Sequence, residues 1–274
     1  MTLKTTAYGS MQPAEFRAYH EPALEPQEVK HGLILNALGQ LGDEKSVEVS
    51  YWTLGRPGEC AIRMGHHSIV LGALDEKQCR NLADLTAHTD YPGVIGPDMT
   101  PKWFTDRARE LGLQFLEPEP QQIYSISDKP LYPGASGHIR PVTIEDAPLL
   151  ADWLIAFHRE AVPHDPVPAR VELERAASEN RFLFWIDNAQ AVSMAGIARR
   201  LKTSAVIRAV YTPPELRGRG YAGSVTAAMV ERIYTEGRKI ACLYADLRNP
   251  ASNRCYTKIG FRPVCKSFHF HRDA

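Results

Sequence analysis

The chain has 274 residues, 44% of them hydrophobic and 23% charged, enough to bury one large core or two of ordinary domain size, and two is the expected number. Its 32 basic and 32 acidic side chains cancel, which argues against nucleic acid or a polybasic membrane contact. The cancellation hides a split: residues 1–135 carry 12 basic and 18 acidic groups and residues 136–274 carry 20 and 14, so the second half is suited to an anionic ligand.

From the N-terminus, residues 13–41 read as helices. Residues 47–52 alternate as a half-buried strand, with 60–64 and 68–71 as partners. A helix over 76–88, a short strand at 93–95 and a helix over 101–112 complete this half. Pro118, Pro120, Pro130, Pro133, Gly134 and Gly137 then crowd one stretch, and we place the domain boundary there, with 1–125 as the first domain, 126–135 as a linker and 136–274 as the second. The second half runs as a strand at 138–142, an amphipathic helix over 144–161 and a further helix after Pro168. A hairpin of 182–186 and 191–196 turns at Asp187-Asn188, and a third strand covers 205–211. Beyond a glycine-rich loop, a helix to about 237, a strand at 240–244 and a last helix close the pattern, while His269 and His271 alternate onto one face of a terminal strand. Similar element order in both halves suggests a degenerate duplication, although no sequence repeat is visible.

The five cysteines include no CxxC pair, so we expect a reducing cytoplasm, with no metal held by cysteine. No apolar run approaches the roughly 20 residues that cross a bilayer, and the first ten residues lack the apolar block of a signal peptide. A soluble, cytoplasmic protein follows as the expectation, with neither membrane nor nucleic acid as partner.

The informative run is Arg217-Gly218-Arg219-Gly220-Tyr221-Ala222, placed where a helix opens. A helix start carries unpaired N–H groups and partial positive charge, glycines let a phosphate approach the backbone, and arginines add charge-assisted hydrogen bonds. The same letters also fit a loop whose glycines serve backbone angles and whose arginines are solvated. Gly218 to Gly223 match G-x-G-x-x-G, with Asp246 near the place of a ribose-binding acid. A dinucleotide fold fails on context, because Pro213 and Pro214 separate strand from glycines, the preceding strands form an antiparallel hairpin, and fewer than thirty residues follow Asp246. A Walker A loop fails as well, since no Lys-Ser or Lys-Thr follows.

The segment from Val210-Tyr211-Thr212 through Arg217 to Ala222 resembles the R/Q-x-x-G-x-G/A acetyl-CoA motif of the GNAT superfamily of N-acetyltransferases. Asn249-Pro250-Ala251-Ser252-Asn253-Arg254-Cys255-Tyr256, followed by Gly260-Phe261, is similar to the segment that comes next in that family. The resemblance covers about residues 136–264. Residues 1–125 resemble the degenerate N-terminal domain of a two-domain bacterial subgroup. It implies a mixed α+β fold of two GNAT-like domains, each a twisted, mostly antiparallel sheet flanked by helices. It also implies acetyl-CoA as cosubstrate, no metal, and direct attack of an amine on the thioester. Val210, Tyr211 and Thr212 would offer backbone groups to the acetyl and pantetheine arm. Arg217, Gly218, Arg219, Gly220, Tyr221 and Ala222 would cradle the pyrophosphate, and Asn249 and Asn253 would contact the CoA arm. In the first domain the corresponding loop is expected at Gly96-Pro97-Asp98, where a carboxylate would compete with phosphate, so that only the second domain binds CoA.

By the same resemblance Tyr256 is the general acid for the departing thiol. A Tyr near 10 protonating a thiolate near 8.5 is uphill by about 2 kcal/mol, so a stabilising hydrogen bond is expected rather than full transfer. Ser204 to Tyr211 contains none of the strand glutamates of many relatives, leaving Asp246, Glu160, His158, His269 and His271 as candidate bases, or none at all if the amine arrives neutral. Trp153, Phe157 and Glu160 could line the acceptor pocket. Asn249 before Pro250 also reads simply as a helix cap, and Tyr256 as a packed aromatic beside Ser252 and Ile259. The leading function is transfer of acetyl to a small-molecule or peptide amine; the alternative is an acyl-CoA-binding or sensor protein without turnover. The first domain is open to three roles: covering the acceptor pocket, forming a homodimer contact, or stabilising the fold.

Overall fold

A computed structural model describes residues 5–8, 11–41, 48–164 and 167–273. In chain order the elements are β1 (Thr5–Tyr8), α1 (Pro13–Leu24), α2 (Gly32–Gly39), β2 (Val49–Thr53), β3 (Cys60–Met64), β4 (Ile69–Leu71), α3 (Glu76–Thr86), β5 (Gly93–Pro97), α4 (Thr100–Glu110) and β6 (Glu119–Ile126). They continue with β7 (His138–Pro141), α5 (Ala147–Ala161), α6 (Arg170–Arg175), β8 (Phe182–Asp187), β9 (Gln190–Arg200), β10 (Ser204–Tyr211), α7 (Tyr221–Thr235), β11 (Ile240–Asp246), α8 (Pro250–Ile259) and β12 (Arg262–His271). Val47, expected to open the first strand, lies outside the described residues.

The chain forms two compact units. The first comprises residues 1–123 and 264–274, the second residues 124–263. Both are mixed α/β with mostly antiparallel strand pairing, the fold class expected from the sequence. In the first unit the strands follow the order β1-β2-β3-β4-β5-β12, with antiparallel pairs β2/β3, β3/β4 and β5/β12 and parallel pairs β1/β2 and β4/β5. Its core packs Trp52, Ile69, Leu71 and Val94 of the strands against Leu82 of α3, Phe104 of α4 and Phe270 of β12. In the second, the order β11-β10-β9-β8-β7 contains three antiparallel pairs and one parallel pair, β10/β11. Val225, Met229 and Ile233, one face of α7, pack on Ile197, Ile207 and Leu243. On the other sheet face Leu150 and Leu154 of α5 meet Phe182, Phe184, Met194 and Tyr211.

Four features differ from the sequence reading. The proline-rich stretch contains a strand, β6, with Pro120 near its start, at the second residue. Residues 264–274, expected in the second domain, group with the first unit because β12 pairs antiparallel with β5 from Ser267/Pro97 to His271/Gly93. The expected linker, 126–135, is bound to the second unit. The Leu131 N–H donates to Ile259 O at 2.9 Å, Tyr132 Oη to Glu231 at 2.7 Å, and Pro133 packs against Gly223 so closely that a Cβ there would come within 2.8 Å. The hairpin turn is also shifted by one residue: Asn188 and Ala189, with φ of 47° and 61°, occupy its centre, the double left-handed geometry of a two-residue hairpin loop.

Candidate functional site

The second unit contains a split in its sheet. β10 and β11 run parallel and pair from Ser204/Ile240 to Ile207/Leu243, and among the described residues their ladder ends there, although β10 continues to Tyr211 and β11 to Asp246. On its other edge β10 carries a bulge. Arg208 faces Gly196 and Tyr211 faces Met194, so three steps on one strand match two on the other, and Ala209 takes a φ of 50°, in the left-handed region that costs an alanine roughly 1 kcal/mol or more. Two side chains fix the strand end. Ser193 Oγ donates to Tyr211 O at 2.9 Å and lies 2.9 Å from Thr212 Oγ1, both serine and threonine being buried. Val210 packs toward the α7 side of the sheet, Tyr211 toward the α5 side. The result is a wedge between the carboxyl ends of two parallel strands, the position at which open α/β sheets receive ligands.

The loop from β10 leads into α7 over this wedge. Gly218 and Gly220 have φ of 81° and 84°, so both glycines are required by the backbone itself. Gly220 is the N-cap of α7 and no side chain among the described residues caps the helix, which leaves the first amides, including those of Tyr221 and Ala222, to an external acceptor. Arg219 is exposed beside them. Tyr221 turns its ring into the core and donates from its hydroxyl to Asp187 at 2.5 Å, so its contribution to the loop is its backbone. That hydrogen bond is the main reason the Asp187 carboxyl is held below its ordinary range. Arg217 stays exposed but is bound at the strand end. Its Nε donates to Thr212 O at 2.9 Å, its guanidinium lies 5.8 Å from the Tyr211 ring centroid, and it pairs with Glu160 at 2.7 Å. Arg217 is thus a brace between loop and strand end, and Glu160, a candidate base by sequence, is occupied as its counter-ion.

Helix α8 borders the other side. Asn249 accepts from the Ser252 N–H at 3.1 Å, the cap that Asn-Pro suggests, and Gly260 ends the helix at φ 114°. Asn253 is fully engaged: its amide donates to Asp246 O and Asn249 O at 2.8 and 2.7 Å, and its carbonyl accepts from Tyr124 at 2.9 Å. It ties α8 to the end of β11 and to β6. Tyr256 is 8% exposed, its ring 6.4 Å from Tyr124 and 6.1 Å from Phe261, and burial drives its hydroxyl well above the ordinary tyrosine range. Asp246, another candidate base, is pushed up by burial but pulled further down by hydrogen bonds and charge from Arg248, and its net shift is downward. On the α5 side Trp153 is half-buried, 5.2 Å from Phe184 and 6.2 Å from Tyr211, with Phe157 packed nearby. His269 and His271 belong to the first unit.

The sequence did not reveal the bulge, the brace formed by Arg217 and Glu160, or the Ser193–Tyr211 bond; an alanine at the left-handed position of the bulge leaves no local mark. A family model described as FR47-like protein matches residues 186–269. No curated protein matches the sequence. Among solved structures, a GCN5-related N-acetyltransferase from Sphaerobacter thermophilus is similar at 14% identity, with a TM-score of 0.58 over 96% of this chain and 93% of that one. A Drosophila protein reaches 0.62 at 14% identity over 97% and 92%, and a tandem GNAT protein of clavulanic acid biosynthesis 0.53 at 11% over 86% of each chain. The chain thus carries an FR47-like segment and shares the fold of these acetyltransferase structures over nearly its whole length.

Proposed function

We propose that the chain is an acetyl-CoA-dependent N-acetyltransferase acting on a primary amine of a small molecule or an exposed amino group. The observation that carries this reading is the wedge between β10 and β11, closed at its mouth by the uncapped, glycine-led start of α7. An extended thioester arm fits between parted strands, where it finds backbone groups of Val210, Tyr211 and Thr212, and its pyrophosphate meets the amides of 218–222 with Arg219 beside them. Asn249 and Asn253 shape the wall next to that arm through the α8 cap.

In this reading the amine nitrogen attacks the thioester carbonyl, a C–N bond forms, and the C–S bond breaks to release CoA thiolate. Backbone N–H groups at the bulged strand stabilise the oxyanion. Tyr256 donates a hydrogen bond to the leaving sulfur. Because burial raises its hydroxyl further, complete proton transfer becomes more uphill than the reference values indicate, and the phenol remains protonated. Glu160 and Asp246 are held by arginines, so the amine arrives neutral and the proton of the ammonium formed by its attack leaves through water.

A second reading, acyl-CoA binding without turnover, is favoured by one observation: Ser204–Tyr211 carries no acid and both nearby carboxylates are ion-paired. Incubation of acetyl-CoA with polyamines, amino acids, aminoglycosides and peptides, followed by thiol release, separates the two. Amine-dependent release supports the transferase. Thermal stabilisation by CoA with no release across the panel supports the sensor, and stabilisation by NAD but not CoA defeats both.

A further inference from the structure

The first unit carries a chemical cluster that acyl transfer does not use. Glu119 opens β6, and His269 and His271 stand two residues apart on β12, so both imidazoles project from one face of that strand. β6 and β12 are sheet neighbours, which brings the carboxylate to the imidazoles. Glu119 Oε2 lies 3.8 Å from His269 Nδ1 and 3.5 Å from His271 Nε2, and the imidazole centroids are 3.8 Å apart. One ligand atom from each residue falls within 4.8 Å of the other two. With metal bonds of about 2.0–2.1 Å, tetrahedral donors stand about 3.3 Å apart, so modest side-chain rotation closes this triangle around an ion.

Burial and orientation support the same conclusion. Glu119 and His271 are each 7% exposed, so a carboxylate and a close imidazole pair are largely withdrawn from water, an arrangement that a divalent cation neutralises better than two adjacent imidazolium charges would. Ser68 Oγ lies 2.8 Å from His269 Nε2, which turns Nδ1 toward Glu119. An outer hydrogen bond that fixes ring and tautomer is what metal-binding histidines commonly have.

We propose that Glu119, His269 and His271 form a site for a divalent transition metal of the Zn²⁺ type, completed by water. Two imidazoles and one carboxylate suit that ion. Its role is structural. Glu119 and His269 are 150 positions apart (269 − 119), and a shared ion would staple the start of β6 to the end of β12, the strand by which the C-terminal segment joins the first unit. None of its ligands belongs to the wedge, so the inference stands independently of the acyl-transfer reading.

The test uses the full-length chain stripped by chelator. Titration with Zn²⁺ by calorimetry and with Co²⁺ by visible absorption is expected to give one site per chain, d–d bands of low-symmetry nitrogen–oxygen coordination, and a higher Tm with Zn²⁺. Glu119→Gln and His269→Gln should each weaken Zn²⁺ at least hundredfold and abolish the Tm rise. Ser68→Ala, which removes no ligand, should weaken it by about 10- to 100-fold, and circular dichroism checks that each variant is folded. Failure of the native chain to bind Zn²⁺, equal binding by folded Glu119→Gln and His269→Gln, or Co²⁺ spectra dominated by thiolate charge transfer would overturn the proposal. If both ligand variants fail to fold, the folded Ser68→Ala chain decides: unchanged Zn²⁺ affinity overturns it.

Discussion

Both units place a helix between two parallel strands, β4–α3–β5 in the first and β10–α7–β11 in the second, and the two helix starts are finished in opposite ways. In the first unit Asp75 caps α3: its carboxylate accepts from the Gln78 N–H at 2.8 Å, and the Gln78 side chain accepts from the Asp75 N–H at 2.9 Å. That capping box supplies the helix start with its own anion. In the second, the equivalent position is Gly220, and the amides face outward without a side-chain acceptor. The strands differ in the same sense. β4 is three residues long and pairs with β5 through Ile69/Val94 and Val70/Ile95, whereas β10 is bulged at Ala209 and parts from β11 beyond Ile207. One topology therefore produces a closed helix start or an anion-ready one according to a single cap and a single bulge.

The largest expected effect comes from giving the second unit the cap of the first. Gly220→Asp puts a carboxylate where phosphate would bind and a side chain at φ 84°, and should lower acetyl-CoA affinity at least hundredfold, measured by calorimetry. Unchanged affinity would break the comparison. Next, Tyr256→Phe should reduce kcat by about 10²-fold with little change in CoA affinity; a large affinity loss with intact kcat would remove its role at the leaving thiol.

A third effect belongs to the first unit. Burial lowers His20 to about 4 and, together with the Lys30 charge and against Asp98, lowers His31 to about 4. His20 Nδ1 accepts from the Gly58 N–H at 3.0 Å, a bond that protonation at this nitrogen would abolish. Folded values below the reference 6.5 mean that the unfolded chain takes up protons first, so stability should fall as pH drops from 6.5 toward 4. Hydrogen exchange at pH 5 should accelerate in α1 and α2 before α7, and His20→Gln should flatten that acid limb by one proton. The smallest effect is the converse of the first: Asp75→Ala should cost about 1 kcal/mol in denaturant unfolding and leave CoA affinity unchanged.

What was legible in the sequence was local. The glycine loop, the Asn249-Pro250 cap and the hairpin around Asn188 are each specified within a few residues, and the structure has each of these elements, the hairpin turn one residue on. What depended on distant partners was not. Arg217 and Glu160 are 57 residues apart, and no spacing rule connects them. β6 was hidden by its own prolines, and the departure of β12 to the first unit leaves no mark in its composition. The same blindness misplaced the first unit's counterpart of the cofactor loop. Gly96-Pro97-Asp98 lies at the end of β5, the counterpart of β11 in element order, while the loop that matches Arg217–Gly220 runs from Gly72 to Asp75 after β4. Only the parallel pairing of β4 with β5 reveals this.

The most direct test of the account is the stoichiometry of acetyl-CoA binding to the full-length chain by calorimetry. One molecule per chain is expected, lost in Gly220→Asp and retained in Asp75→Ala; two molecules per chain, or one that survives Gly220→Asp, would contradict a single site at the start of α7.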